Sequence, residues 1–175
     1  MILPILEYPD PQLVALSEPV PEINDDLRRL AADMAETMYN ADGIGLAAPQ
    51  IGRKQRLIVL DVTGSKRREG LMCLINPVLT PVEEAGTVIS EEGCLSVPLK
   101  YRSNVERAAQ VRLEATGLDG QIVDLIADDL LAVCLQHEVD HLDGTLFLDH
   151  LSHLKRTLYK NRLNKHSRNQ TNKAD

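Results

Sequence analysis

The stretch from Leu130 to Gly144 constrains this 175-residue chain more than any other, because it sets Gln136-His137-Glu138-Val139-Asp140-His141, an H-E-x-x-H pattern, inside an apolar run. Residues four apart on an α-helix share a face one turn apart, so the rings of His137 and His141 can reach a single divalent ion. Glu138 lies about 100° round the helix from His137 and about 60° from His141, so it can lean toward a water beside the ion and take its proton. Leu130-Leu131-Ala132-Val133-Cys134-Leu135 is apolar nearly all round, as in a buried helix, with Asp128 or Asp129 placed as N-cap and Gly144 just past the end. Two imidazoles and a carboxylate on a core helix are costly unless something pairs them, and a metal ion does so.

A hydrolytic site of this kind needs a third protein ligand. In one zinc-protease pattern it is a His six residues after the second, but that position is Phe147; in another it is a downstream Glu, but Glu138 is the last Glu in the chain. Asp143, Asp149, His150 and His153 read more simply as solvated or capping residues. The third ligand is therefore expected upstream, with Cys94 in Glu91-Glu92-Gly93-Cys94-Leu95-Ser96 the best candidate. A thiolate is the strongest soft ligand on offer, and Gly93 lets the backbone approach an ion closely. Cys134, one turn before His137, is the rival; three ligands from one short helical run make poor tetrahedral geometry, which favours reading it as a small core residue. Cys73, inside Leu71 to Ile75, reads the same way.

Three segments, Gly43-Ile44-Gly45-Leu46-Ala47-Ala48-Pro49-Gln50, Glu92-Gly93-Cys94-Leu95-Ser96 and Gln136-His137-Glu138-Val139-Asp140-His141-Leu142-Asp143-Gly144, resemble the motifs of the peptide deformylase family in its order and spacing. The similarity runs from Pro9-Asp10-Pro11 to about Lys155. It implies a metal-dependent hydrolase that removes the formyl group from the N-terminal formyl-methionine of newly synthesised polypeptides and releases formate. By the same resemblance Cys94, His137 and His141 hold the ion, Glu138 moves the proton, and Gln50 and the Leu95 N–H stabilise the oxyanion. The expected ion is iron(2+), with zinc, nickel or cobalt as substitutes. Ile44, Leu130, Val133 and Cys134 fall where the methionine pocket should be, and the backbone of Gly45 and Gly93 where an extended peptide would pair. The alternative from another class is a metallopeptidase of the H-E-x-x-H type, which lacks its ligand here; a metal-free thiol hydrolase using Cys94 is a second.

The remaining sequence sets the frame. The length suits one domain with its own core, expected over residues 1–165, with 166–175 as a polar, disordered tail. Three Cys without a C-x-x-C, and no run of 18 apolar residues, lead us to expect a cytoplasmic protein with no membrane span. Asn24 is placed to cap a helix carrying Leu27, Leu30, Ala31, Met34 and Met38. Gly43 to Gln50 by itself reads as a loop after that helix, lacking the third Gly of a dinucleotide fingerprint. Arg56 to Val62 and Leu71 to Asn76 read as strands flanking a polar loop, Gly64 to Gly70. Val111, Leu113 and Ala115 alternate with polar residues, and Ile122 to Ile126 return after the turn Gly117 to Gly120. The fold class expected is α+β: mostly antiparallel strands around a buried metal-binding helix, with N-terminal and C-terminal helices. Ser152 would cap the last helix, with Leu154, Leu158 and Leu163 on one side.

Charge is uneven. Residues 1–150 hold 12 Lys and Arg against 25 Asp and Glu, whereas 151–175 hold 7 against 1. The acidic body argues against DNA binding. The basic end suggests a contact with ribosomal RNA, since an enzyme of this kind meets chains as they emerge.

Overall fold

A computed structural model describes residues 1–171 of the chain. Its first helix, α1 (Asp25–Asn40), starts where Asn24 accepts a hydrogen bond from the Leu27 N–H, and it buries Leu27, Ala31, Met34 and Met38. Five strands form one antiparallel sheet in the order β1 (Gly45–Ala47), β2 (Leu57–Leu60), β3 (Met72–Pro81), β6 (Val111–Thr116), β7 (Ile122–Ala127). A separate hairpin pairs β4 (Thr87–Gly93) with β5 (Arg102–Ala108). Helix α2 (Asp129–Leu142) packs against β1, β2, β3 and β5, and α3 (His153–Thr171) closes the described chain. This is the expected α+β arrangement, and no helix among the described residues is long and apolar enough to cross a membrane.

Strand β2 shows why an unbroken Leu-Ile-Val-Leu run appears. Leu57 and Val59 face α1 in one core cluster, while Ile58 and Leu60 face α2 in another, so both sides are buried. A strand covered on both faces loses the polar alternation of a half-exposed one. Strand β6 keeps that alternation: Val111, Leu113 and Ala115 point toward α2, and Arg112 and Glu114 point out. On β7 the apolar residues split, with Val123 and Leu125 packing inward and Ile122 and Ile126 exposed.

Several local readings differ from the structure. Gly45 to Ala47 is a strand rather than a loop, and Ala48–Ile51 is a short 3-10 turn. The small residues allow β1 to press against α2, a packing constraint that period alone does not reveal. Hairpin β4–β5 is hard to see in the sequence because β4 has no apolar alternation: Val88 and Ile89 are adjacent and both exposed, while charged Glu92 is the buried residue. Asp128 stands at the N-cap of α2 without a side-chain capping bond, and Gly144 takes φ 72° just beyond the other end, as a helix terminus favours. Helix α3 is rotated from its expected stripe: Tyr159 is buried against Tyr101 and Tyr8, Leu163 is partly buried, and Leu154 and Leu158 are exposed. It also runs to Thr171, through residues expected to be disordered; 172–175 lie outside the described residues.

Beyond β2, fully buried Asp61 accepts hydrogen bonds from Tyr39 Oη (2.7 Å), Thr63 N–H (2.9 Å) and Thr63 Oγ1 (2.6 Å), fixing the loop that leads to β3. Burial pushes its carboxyl up, but the donors of Thr63, Tyr39 and Gly70 outweigh that and leave it below the usual range. A carboxyl lowered on folding contributes stability that is full above its unfolded pKa and lost as pH falls through the folded one. Asp61→Asn should therefore be less stable than wild type near neutrality and show a flatter loss of stability below about pH 4. Urea unfolding across that range checks both; parallel curves for the two proteins would refute the assignment.

Candidate metal centre

Three elements bring the site together. Helix α2 presents His137 and His141 on one face, with ring centroids 5.0 Å apart and planes at 73°. The turn after β4 delivers Cys94, whose Sγ lies 3.3 Å from His141 Nε2. The ligand atoms of Cys94, His137 and His141 all fall within 4.8 Å of one another. Sulfur and nitrogen bound to one tetrahedral ion stand about 3.6 Å apart, so the spacing suits a shared cation. Cys134 turns elsewhere, its Sγ 3.6 Å from the Ile44 carbonyl oxygen.

The two rings are tuned in opposite directions. Burial lowers His137, but its hydrogen bonds with Cys94 and Glu92 outweigh that and hold the imidazole well above its ordinary value. His141 is held well below by burial, which keeps a neutral nitrogen available as a ligand. Burial pushes Glu138 up to about 7. Among the described residues, Glu138 Oε2 and His141 Nδ1 are buried polar atoms with no hydrogen-bond partner. The Glu138 oxygen, which borders the cluster, calls for a partner such as a water, and one sulfur with two imidazole nitrogens suits a borderline divalent metal.

Behind the cluster lies a group that sequence reasoning missed. His137 Nδ1 donates to Glu92 Oε2 (2.8 Å), which leaves Nε2 facing Cys94. Burial raises Glu92, but the bonds from His137 and Arg107 prevail and bring it down to about 2. Arg107, on β5, grips Glu92 through Nε (2.7 Å) and Nη2 (3.0 Å) and reaches Asp140 Oδ2 through Nη1 (2.6 Å). A signal existed: Ser103, Val105 and Arg107 alternate inward along β5, and a buried Arg in such a register needs carboxylates. Phe147 stacks on the other side of His137, with centroids 6.1 Å apart.

Gln50 is buried on the 3-10 turn after β1. Its Oε1 accepts from the Ala47 N–H (2.8 Å), so the amide NH₂ points toward Ser96 Oγ (3.1 Å) and Cys94 Sγ (3.6 Å). Leu95 sits between those two partners in the same turn. A cavity of about 430 Å³ opens in front of the cluster, and all six residues expected to line a pocket, Ile44, Gly45, Gly93, Leu130, Val133 and Cys134, line it, together with Glu138.

Gly45 determines where Glu138 can sit. A Cβ built on Gly45 would overlap Glu138 Oε1 and come within 3.0 Å of Cys134 Sγ. Backbone pairing with Leu60 holds Gly45 in place, so the carboxylate is the group that must move. Gly45→Ala should lower kcat roughly 100-fold, a loss typical of misplaced catalytic groups, with the ion still bound. Metal content and turnover measured on one preparation test this; unchanged kcat would show that the carboxylate has room to spare.

The chain is similar to known proteins over nearly its whole length. The polypeptide deformylase family model matches residues 2–157. A peptide deformylase of Acinetobacter baumannii (strain SDF) is 52% identical over 164 residues, covering 94% of this chain and 91% of that protein. The crystal structure of a peptide deformylase from Legionella pneumophila superposes with a TM-score of 0.88 at 41% identity, covering 98% of each chain. That of the Ehrlichia chaffeensis peptide deformylase in complex with actinonin does so with 0.86 at 36% identity, covering 95% of this chain and 98% of that one. With a thiol and two imidazoles gathered beside a buried carboxylate and these relatives matching nearly end to end, the chain belongs to the polypeptide deformylase family.

Proposed function

We propose that this protein hydrolyses the formamide of N-formyl-methionyl peptides, giving formate and a free amino terminus. The observation that carries the reading is the meeting of Cys94, His137 and His141 beside Glu138 in one cavity. Cys94, His137 and His141 would hold the ion; when bound, a divalent metal activates water and polarises the formyl carbonyl. Glu138, raised to about 7 by burial, takes a proton from the attacking water and passes it to the departing amine as the C–N bond breaks. The Gln50 amide and the Leu95 N–H donate to the formyl oxygen as it gains charge, which lowers the barrier by about 3 kcal/mol per donor. The methionine side chain rests against Ile44, Leu130, Val133 and Cys134. The peptide backbone pairs along Gly45 and Gly93.

Iron(2+) is the ion we assign in the cell, with zinc, nickel or cobalt able to replace it. A thiolate ligand suits these ions and is itself open to oxidation. We assign the enzyme to the cytoplasm, where nascent chains emerge. We also assign α3, which carries Lys155, Arg156, Lys160 and Arg162 around it and exposed Leu154 and Leu158, to contact with the ribosome. A chain lacking α3 that pelleted with ribosomes at low salt as well as the intact one would remove that assignment.

The deciding experiment is formate release from formyl-Met-Ala-Ser by protein purified without oxygen, paired with metal analysis. Turnover should track one equivalent of ion, vanish with a chelator and return with ferrous iron. Turnover that survives chelation would favour a thiol hydrolase. Cleavage of unformylated peptides would favour a metallopeptidase, a reading that family membership and the absent His or Glu ligand both disfavour.

A further inference from the structure

The face of α2 turned away from the metal cluster carries Gln136, Val139 and Asp140, and it borders a second cavity, of about 380 Å³. Arg107, Asp140 and His150 all line it. His150 belongs to the short 3-10 turn Phe147–His150, and its Nε2 lies 2.7 Å from Asp140 Oδ2 and 3.3 Å from Arg107 Nη1. The guanidinium can only donate, and so close an approach to a carboxylate oxygen requires a proton on Nε2, so His150 donates to Asp140. One oxygen of Asp140 thus receives two donors, one from Arg107 and one from His150. Its carboxylate is a quarter exposed, so without the second donor it is free to turn toward water.

We propose that His150 is a positioning residue for the metal ligand His137, acting through Asp140, Arg107 and Glu92. By holding Asp140 against Arg107 Nη1, it fixes the guanidinium whose other edge fixes Glu92, the acceptor for His137 Nδ1–H. With Asp140 turned away, Arg107 swings on a single carboxylate and gives its charge to Glu92 alone. Glu92 then becomes a poorer acceptor and His137 a less basic, less well-oriented ligand. The 3-10 turn also carries Phe147, which stacks on the same ring.

The inference rests on Cys94, His137 and His141 holding an ion. The test is the rate at which zinc-loaded protein releases metal to a chelator, measured well below the melting temperature. His150→Phe should speed release about tenfold, in the range seen when outer partners of a ligand are removed. His150→Gln, which keeps a donor, should stay within about twofold of wild type. Asp140→Asn should speed release as His150→Phe does, and the double variant should release no faster than the faster single. Equal rates for wild type and His150→Phe, or an additive double variant, would overturn the proposal. Wild-type protein that binds no zinc would instead overturn the metal site itself. In turnover, kcat should fall with the affinity while KM stays, because His150 touches no part of the peptide cavity.

Discussion

Glu138→Gln is expected to lower kcat for formate release about 10⁴-fold, at the upper end of what a proton-transferring side chain contributes, while metal content matches wild type. The amide keeps the shape of the carboxylate but cannot take a proton from water or return one to the amine. Three features suit Glu138 to that role. Burial raises it to about 7, Oε2 has no hydrogen-bond partner among the described residues, and Gly45 leaves it room. A carboxyl poised near neutrality both accepts and releases a proton at working pH. An ordinary surface Glu, near 4.3, would do the second step poorly. Because Glu138 is not among the three ligand atoms, losing its charge should leave the ion in place. Atomic absorption and formate release on the same sample separate the two effects; turnover within tenfold of wild type would remove the proton-transfer role.

Cys94→Ala should reduce bound metal after dialysis from one equivalent to a trace, with turnover lost in proportion. Two imidazoles on one helical face remain, but they lack the thiolate that closes the set and carries its negative charge. His137 would also lose one of the two hydrogen-bonding partners that offset its burial. Cys134→Ala is the control, because that sulfur faces the Ile44 carbonyl, and its loss should leave metal content intact. The reverse pattern, with Cys134 needed and Cys94 dispensable, would mean that the ion sits one helical turn away from the cluster described.

Much of this molecule could be read without coordinates, and the legible parts share a cause. His137, Glu138 and His141 lie within five residues, and helical periodicity alone puts them on adjoining faces. The cap at Asn24, the strand Leu57–Leu60 and the alternation along Val111–Thr116 are local in the same way. Cys94 came by elimination and resemblance, since nothing local says that a turn 43 residues before His137 folds back onto it. Alternation along β5 marks Arg107 as inward but not what it pairs with, because Glu92 lies 15 residues away across a hairpin, and the partner of His150, Asp140, lies 10 residues away across a helix end. Leu154 and Leu158 misled because they sit at helical spacing, yet Tyr159 had aromatic partners at Tyr8 and Tyr101 to pack against.

The sequence by itself determined which groups can do the chemistry: two imidazoles and a carboxylate on one helix, a thiol in a glycine-bearing turn, and an amide after a small-residue segment. Only the tertiary structure decided how those groups are tuned, setting His137 against Glu92, Glu92 against Arg107, and Glu138 in the space Gly45 leaves. The reason is physical. Identity and spacing travel along the chain, whereas desolvation and charge pairing depend on distances across it, which exist only once the core has closed.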